Sequence, residues 1–208
     1  MMKKFIIALI GGVVAYLALI RPQVVRWGAT DDELQRKWPG DDFAPKSKFV
    51  STQAITIHAP PSAIWPWLVQ IGNGRAGWYS YRWLEYMVRD GKLLYEGASH
   101  RIVPELQSLK VGDPIPVGDE AFTVVAMQPN EYLTLRLGAE ELSGEGAGHT
   151  FILDPVNDQT TRLIARARIA SGSLLSVLVT VFFFEPGHCI MQTKMLHGIK
   201  ERVERRKG

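Results

Sequence analysis

From Phe5 to Ile20 the chain runs Phe-Ile-Ile-Ala-Leu-Ile-Gly-Gly-Val-Val-Ala-Tyr-Leu-Ala-Leu-Ile without a charge, bounded by Lys3 and Lys4 before it and Arg21-Pro22 after it. As a helix rising about 1.5 Å per residue it covers roughly 24 Å, a little short of the ~30 Å hydrocarbon core of a bilayer. Snorkelling of Lys4 and Arg21, with Val24, Val25 and Trp27 at the interface, makes up the difference. A single-pass membrane anchor over residues 1–24 is therefore expected. A cleaved signal peptide shares the charged start and apolar middle. However, Leu19, Ile20, Arg21 and Pro22 stand where a small-x-small cleavage site belongs, which favours the anchor. Lys3 and Lys4 on one side nearly balance Arg21 and Arg26 on the other, so the side on which the rest of the chain lies stays open.

The remainder has ordinary globular proportions. With 208 residues, 46% hydrophobic and 22% charged, the chain fits one folded domain plus a short appendage rather than a disordered or polytopic one. Its net charge of +3 gathers at the ends, where Lys3 and Lys4 are matched by Lys200, Arg202, Arg205, Arg206 and Lys207. No basic stripe crosses the middle, so nucleic acid is not an expected partner. Cys189 stands alone, which excludes an internal disulfide, a paired-thiol redox motif and a cysteine zinc site. His-Glu-x-x-His and serine-elbow motifs are absent, so neither a metal nor any other cofactor is expected.

Residues 25–49 read as a juxtamembrane strap, in which Thr30-Asp31-Asp32-Glu33 has capping-box spacing and Trp38-Pro39-Gly40 breaks the helix. A strand follows over Ala54 to His58, and Pro60-Pro61-Ser62 then opens a helix carrying Ile64, Trp65, Trp67, Leu68 and Ile71. Tyr81, Trp83, Leu84, Met87 and Val88 predict a second helix. From Glu105 onward the pattern is of strands: a proline-rich edge over Val111–Pro116, a hairpin of 122–127 with 132–137, and a pair of 149–154 with 161–169. In the last strand Leu163, Ala165, Ala167 and Ile169 share one face, expected to be core, while Arg162, Arg166 and Arg168 face water. A long helix closes the chain, beginning between Ser173 and Pro186, with His188, Cys189, Met191, Met195, Leu196, Ile199 and Val203 on one arc. Leu174–Phe184 is apolar but only about eleven residues, too short to span, and reads as buried or membrane-grazing.

This order of elements, together with particular words in the sequence, resembles the START-like (SRPBCC) superfamily, which includes polyketide cyclase/dehydrase-like proteins. The words are Ile55-Thr56-Ile57-His58-Ala59-Pro60, Ile64-Trp65-Pro66-Trp67-Leu68, Gly77-Trp78-Tyr79-Ser80-Tyr81, Arg101-Ile102-Val103-Pro104-Glu105-Leu106-Gln107 and Met195-Leu196-His197-Gly198-Ile199-Lys200. They look like an uncharacterised bacterial, membrane-anchored branch. The resemblance covers about residues 50–206 and implies an α+β helix-grip fold over 50–208. In that fold a curved antiparallel sheet wraps a long C-terminal helix, with two short helices after the first strand. It also implies a tunnel for an apolar ligand, and carries over no catalytic constellation.

Tested residue by residue, the chemistry stays soft. Gly72-Asn73-Gly74-Arg75-Ala76-Gly77 matches G-x-G-x-x-G but follows a helix and lacks a second βαβ unit, so it reads as a turn rather than a nucleotide site. Arg75 and Arg101 are candidates for meeting an anionic headgroup. Trp78, Tyr79, Tyr81, His149, Glu185, His188, Met191 and Met195 are candidates for lining a pocket, each also able to serve simply as core. Cys189 adjoins His188 in sequence, but helical neighbours point about 100° apart, so a thiolate–imidazole pair is not expected. The expected function is a membrane-tethered, non-catalytic binding domain for a lipid or other apolar molecule. A cyclase- or dehydratase-type enzyme and a structural partner with a filled pocket are the alternatives.

Overall fold

Alternation along the strands builds the frame in the computed structural model, which describes residues 2–43, 45, 47–81, 98–117, 120–137, 147–170 and 173–205. Strands β1 (Phe49–Ile57), β2 (Pro114–Val117), β3 (Glu120–Gln128), β4 (Tyr132–Leu137), β5 (Ala147–Asn157) and β6 (Thr160–Ile169) form one antiparallel sheet. Their order is β1-β6-β5-β4-β3-β2. Two-residue periodicity assigns Phe49, Ser51, Gln53, Ile55 and Ile57 of β1 to one face, about five residues earlier than the strand legible in the sequence. Across the sheet, Ser51 pairs with Ala167, Ala167 with His149, and His149 with Leu135. The proline-rich β2 lies at an edge, as its missing N–H groups require.

Two helical ribbons complete the architecture. At the N-terminus, α1 (Met2–Ala15) passes through a π-helical turn, Tyr16–Ile20, into α2 (Arg21–Val25). The combined helix Met2–Val25, 24 residues long, is long and apolar enough to cross a membrane, and its most apolar stretch is not buried within the protein. A signal sequence or the core helix of a soluble protein can be as long and as apolar. α3 (Asp31–Gln35) and α4 (Pro61–Val69) follow. At the C-terminus α5 (Leu174–Val179) runs through a second π-helical turn, Thr180–Phe184, into the 20-residue α6 (Glu185–Glu204). The second short helix expected near Tyr81–Val88 lies outside the described residues.

α6 lies on the concave face, where Met195, Leu196, Ile199 and Val203 meet Ile55, Ile57, Leu133, Phe151, Leu153, Leu163 and Ala165 in one buried cluster. Its buried arc includes Gln192 and Gly198, while His188 and Met191 sit half-buried at the arc's margin. Gly198 is dictated by approach: a Cβ there would stand 2.5 Å from the Tyr79 carbonyl oxygen. α6 starts at the end of the sheet bearing Phe49 and Ile169 and finishes at the other, where Glu204 accepts from the His58 N–H at 2.9 Å. The first of these is the end beside the N-terminal helix, called below the anchor-side end after the anchor expected from the sequence, because Arg21 of α2 pairs with Glu185 there at 2.9 Å.

The convex face departs from expectation. Rather than facing water, Arg162, Arg166 and Arg168 are covered by the strap. Arg162 pairs with Glu33 at 2.7 Å, and Arg166 and Arg168 reach Asp41 at 2.7 and 3.3 Å. Burial alone would raise the Glu33 pKa, but hydrogen bonds from Arg162 and from the Thr30 backbone outweigh it and hold the carboxyl below its usual range. The expected capping box is present: Thr30 Oγ1 accepts from the Glu33 N–H and Glu33 Oε2 from the Thr30 N–H. Trp38 packs with Ala54, Ile152 and Ile164. Gly40, at φ +93°, allows the closest approach, since a Cβ there would lie 2.1 Å from Thr150 Oγ1. The chain reaches this face by wrapping β1, whose Ala54 N–H donates to the Trp27 carbonyl at 3.0 Å, so the edge strand is not left open.

Candidate functional site

Two residues singled out in the sequence, His149 and His188, meet at the anchor-side half of the grip, and a third, Trp78, is joined to them through Phe122. His149 comes from β5, His188 from the first turn of α6, and Trp78 from the segment after the Gly72–Gly77 turn. The imidazole centroids of His149 and His188 are 5.7 Å apart. Around them runs a chain of rings: Trp78 to Phe122 at 5.9 Å, Phe122 to His149 at 6.4 Å, His149 to Phe151 at 4.5 Å, and His188 to Phe49 and Phe184 at 6.1 and 5.5 Å. Gln192, four residues after His188, lies on the same face of α6.

The polar atoms here are short of partners. Among the described residues, Nε2 of His149, Nε2 of His188, Nε1 of Trp78, Oε1 of Gln192 and Oγ of Ser51 are buried with no hydrogen bond. Gln192 spends its Nε2 on the Ala165 carbonyl at 3.1 Å, and its side chain lies close enough to both imidazoles to raise their pKa values. Native interiors seldom leave such groups unpaired, because each costs on the order of 1–3 kcal/mol.

Burial also fixes the charge state. Desolvation, then repulsion from His188, lowers the pKa of His149 to about 3, with the Gln192 side chain partly offsetting both. Desolvation likewise lowers His188 to about 4, again partly offset by Gln192. His188 as a residue is half-buried, but its Nε2 is enclosed. Both rings are therefore neutral at pH 7, able to give or accept one hydrogen bond at each nitrogen, and poorly suited to supply a proton.

Other candidates fall elsewhere. Tyr79 is 2% exposed and satisfied: its hydroxyl accepts from Gln70 Nε2 at 2.8 Å and donates to the Trp67 carbonyl at 3.2 Å. Met195 is packed core. Half-buried Met191 offers its carbonyl to Ser80 Oγ at 2.9 Å. Tyr81 lines an open groove of about 540 Å³ between α2 and α6 that reaches Gln53 and Cys189, where Trp27 and His197 lie tilted with centroids 5.2 Å apart. Glu185 is tied to Arg21 at the junction of the two ribbons. Arg75 turns its guanidinium onto the Ile71 and Val69 carbonyls, capping the end of α4, and so is spent on its own turn. Arg101 is exposed on a loop. The Gly72–Gly77 segment closes on itself, with the Gly77 N–H donating to the Gly72 carbonyl at 3.0 Å.

Cys189 faces Phe49 and Ala167, and burial, then Glu185, pushes its thiol up to about 12, which leaves it inert at neutral pH. The described residues contain no group of three His, Cys, Asp or Glu able to hold a metal ion. Ser51, Phe122, Phe49, Phe184 and Gln192 are the site residues not read from the sequence. The inward register of Phe49, Ser51 and Gln53 was the available signal.

No family model matches the chain, and no curated relative does. Solved structures are similar to it at low identity. The Mesorhizobium loti protein MLL2253 is 16% identical, with 76% of this chain and 98% of that one covered at a TM-score of 0.42. A norcoclaurine synthase point mutant from Thalictrum flavum is 12% identical over 77% and 96% at 0.44. An Arthrobacter aurescens protein is 13% identical over 75% and 86%, also at 0.44. None of these supplies a ligand, an activity or a residue role to this chain.

Proposed function

We propose that this protein is a membrane-tethered binding domain for an apolar molecule with a neutral polar end, such as a hydroxyl or an amide, and that it is not a catalyst. The observation carrying this reading is the set of unpartnered polar atoms on Ser51, Trp78, His149, His188 and Gln192, ringed by Phe49, Phe122 and Phe151. A polar end that both donates and accepts would suit the two imidazoles and the Gln192 carbonyl, while its apolar body meets the rings that run from His149 through Phe122 to Trp78. A charged end suits the site less well, because no cation or carboxylate among the described residues reaches it. The neutral histidines favour holding over proton transfer: with pKa values near 3 and 4 they are weak bases at pH 7. The tether reading rests on the exposed apolar helix Met2–Val25.

Native mass spectrometry of the full-length chain purified in mild detergent, followed by organic extraction, tests the proposal. The expected result is a stoichiometric neutral amphiphile, released by His149→Phe, and saturable uptake of a fluorescent long-chain alcohol by the emptied protein. An empty protein that takes up no probe overturns the proposal.

A further inference from the structure

The second apolar stretch belongs beside the first. Tyr16 donates its hydroxyl to the Val181 carbonyl at 3.1 Å and packs at a tilt against Phe182 with ring centroids 5.5 Å apart. Five residues on, Arg21 meets Glu185. The two contacts keep nearly the same sequence offset, so the ribbons run parallel and side by side into the anchor-side end of the grip, both widening to a π-helical turn where they touch. From Ser171 to Phe184 the chain carries no charge. Its large side chains nevertheless point away from the protein, with Leu175 72% and Phe183 79% exposed, alongside Leu178, Val179 and Phe184. Together with the outward face of α1, these residues form one continuous apolar surface.

We propose that Leu174–Phe184 is a second membrane element: a helical wedge that enters one leaflet beside the anchor and turns back without crossing. This rests on reading the N-terminal helix as a tether. The bilayer is the occupant that fits, because the wedge lies against the anchor at the same depth and continues the same apolar face. Its length is right for one leaflet: Leu175 lies roughly ten residues, or about 15 Å, from Glu185, half of the ~30 Å hydrocarbon core. Arg21 and Glu185 then mark the hydrocarbon boundary, where a charge pair closed on itself suits the sharp change of dielectric. Two parallel contacts with the membrane also stop the domain from swivelling. Phe184, stacked on His188, is thereby placed at the leaflet surface, the shortest way from lipid to the site above.

Depth-dependent quenching tests the wedge. Single cysteines replace Leu175, Phe183 or, in the anchor, Val14, in a full-length Cys189→Ala background. Each is labelled with an environment-sensitive fluorophore and reconstituted into phosphatidylcholine vesicles containing some phosphatidylglycerol. Circular dichroism confirms the fold of each variant. Nitroxides on the lipid chains should quench Leu175→Cys and Val14→Cys most when placed deep, and Phe183→Cys most when placed shallow, with aqueous iodide ineffective on all three. If iodide quenches Leu175→Cys and Phe183→Cys while Val14→Cys stays in lipid, the wedge is wrong and the tether stands. If iodide also reaches Val14→Cys, the tether reading falls and takes the wedge with it. Labels at 175 and 183 shielded from both quenchers would mean that protein covers this face, which overturns the wedge as well.

Discussion

The two ends of the grip are closed by the same helix on the same sheet, yet they are filled differently. At the far end Met195, Leu196, Ile199 and Val203 settle on Leu133, Leu153 and Leu163, and the Tyr79 hydroxyl that intrudes there is bonded twice. At the end beside the N-terminal helix, His188 and Gln192 of the long helix lie by His149, and the Nε2 atoms of both histidines and Oε1 of Gln192 have no hydrogen-bond partner among the described residues. Folding alone favours the first arrangement. The second costs stability at several atoms, a cost that the ligand proposed above would offset.

Acidification should separate the ends by the largest margin. For His149 and His188 the folded pKa values, about 3 and about 4, lie below the ordinary 6.5, so the unfolded chain binds protons that the folded chain refuses. Stability is therefore fully present above pH 6.5 and is lost as pH falls toward 4, with a slope approaching about 1.4 kcal/mol per pH unit for each histidine. Thermal melts of the detergent-solubilised protein should drop steeply between pH 7 and pH 5. A flat profile would mean that the anchor-side end is wetter or better paired than the geometry shows.

Met195→Trp should come next in size. At the far end no space awaits a larger ring, because Met195 is 4% exposed within a closed cluster, so overpacking should cost about 1–3 kcal/mol, read as a lower melting temperature at constant pH dependence. A neutral Met195→Trp would show that the far end is also hollow, and the contrast between the two ends would collapse.

Much of this frame is legible in the sequence where a period is strong. The β3–β4 hairpin, the β5–β6 pair, the proline-rich edge strand and the Thr30 capping box all follow from alternation and spacing. Alternation says which residues share a face, but not what covers it: Arg166 shares a face as expected, yet Asp41 and Thr52 enclose it, and no local pattern links a strap to a strand so distant in sequence. The helical arc is legible too, with Cys189, Met195, Leu196, Ile199 and Val203 buried as expected, but Gln192 looks like an outward residue until its backbone partner on β6 is known. Which of its two expected roles Tyr79 takes depends on Gln70 and the Trp67 carbonyl at the end of α4, partners that no local pattern reveals. His149, His188 and Trp78 were legible as candidates, but their convergence depends on sheet order, which periodicity does not fix.

The smallest expected change is the most telling. Replacing His149 with Phe removes a buried polar atom that has no partner and supplies a ring of similar breadth among Phe122, Phe151 and the His188 imidazole. In an ordinary core a buried polar residue is held by its bonds, and losing it would strand a partner at a cost of about 1–3 kcal/mol. Here no partner is stranded at Nε2, so His149→Phe should stay within about 1 kcal/mol of the parent at pH 7. Its stability should then fall more gently with acid, because one of the two proton-refusing groups is gone and the repulsion that lowers His149 disappears with it. The same substitution should abolish uptake of the fluorescent alcohol. Melting curves at pH 7 and pH 5 beside a probe titration read all three at once. A large loss at pH 7 would show that His149 is bonded core, in which case the two ends of the grip are alike.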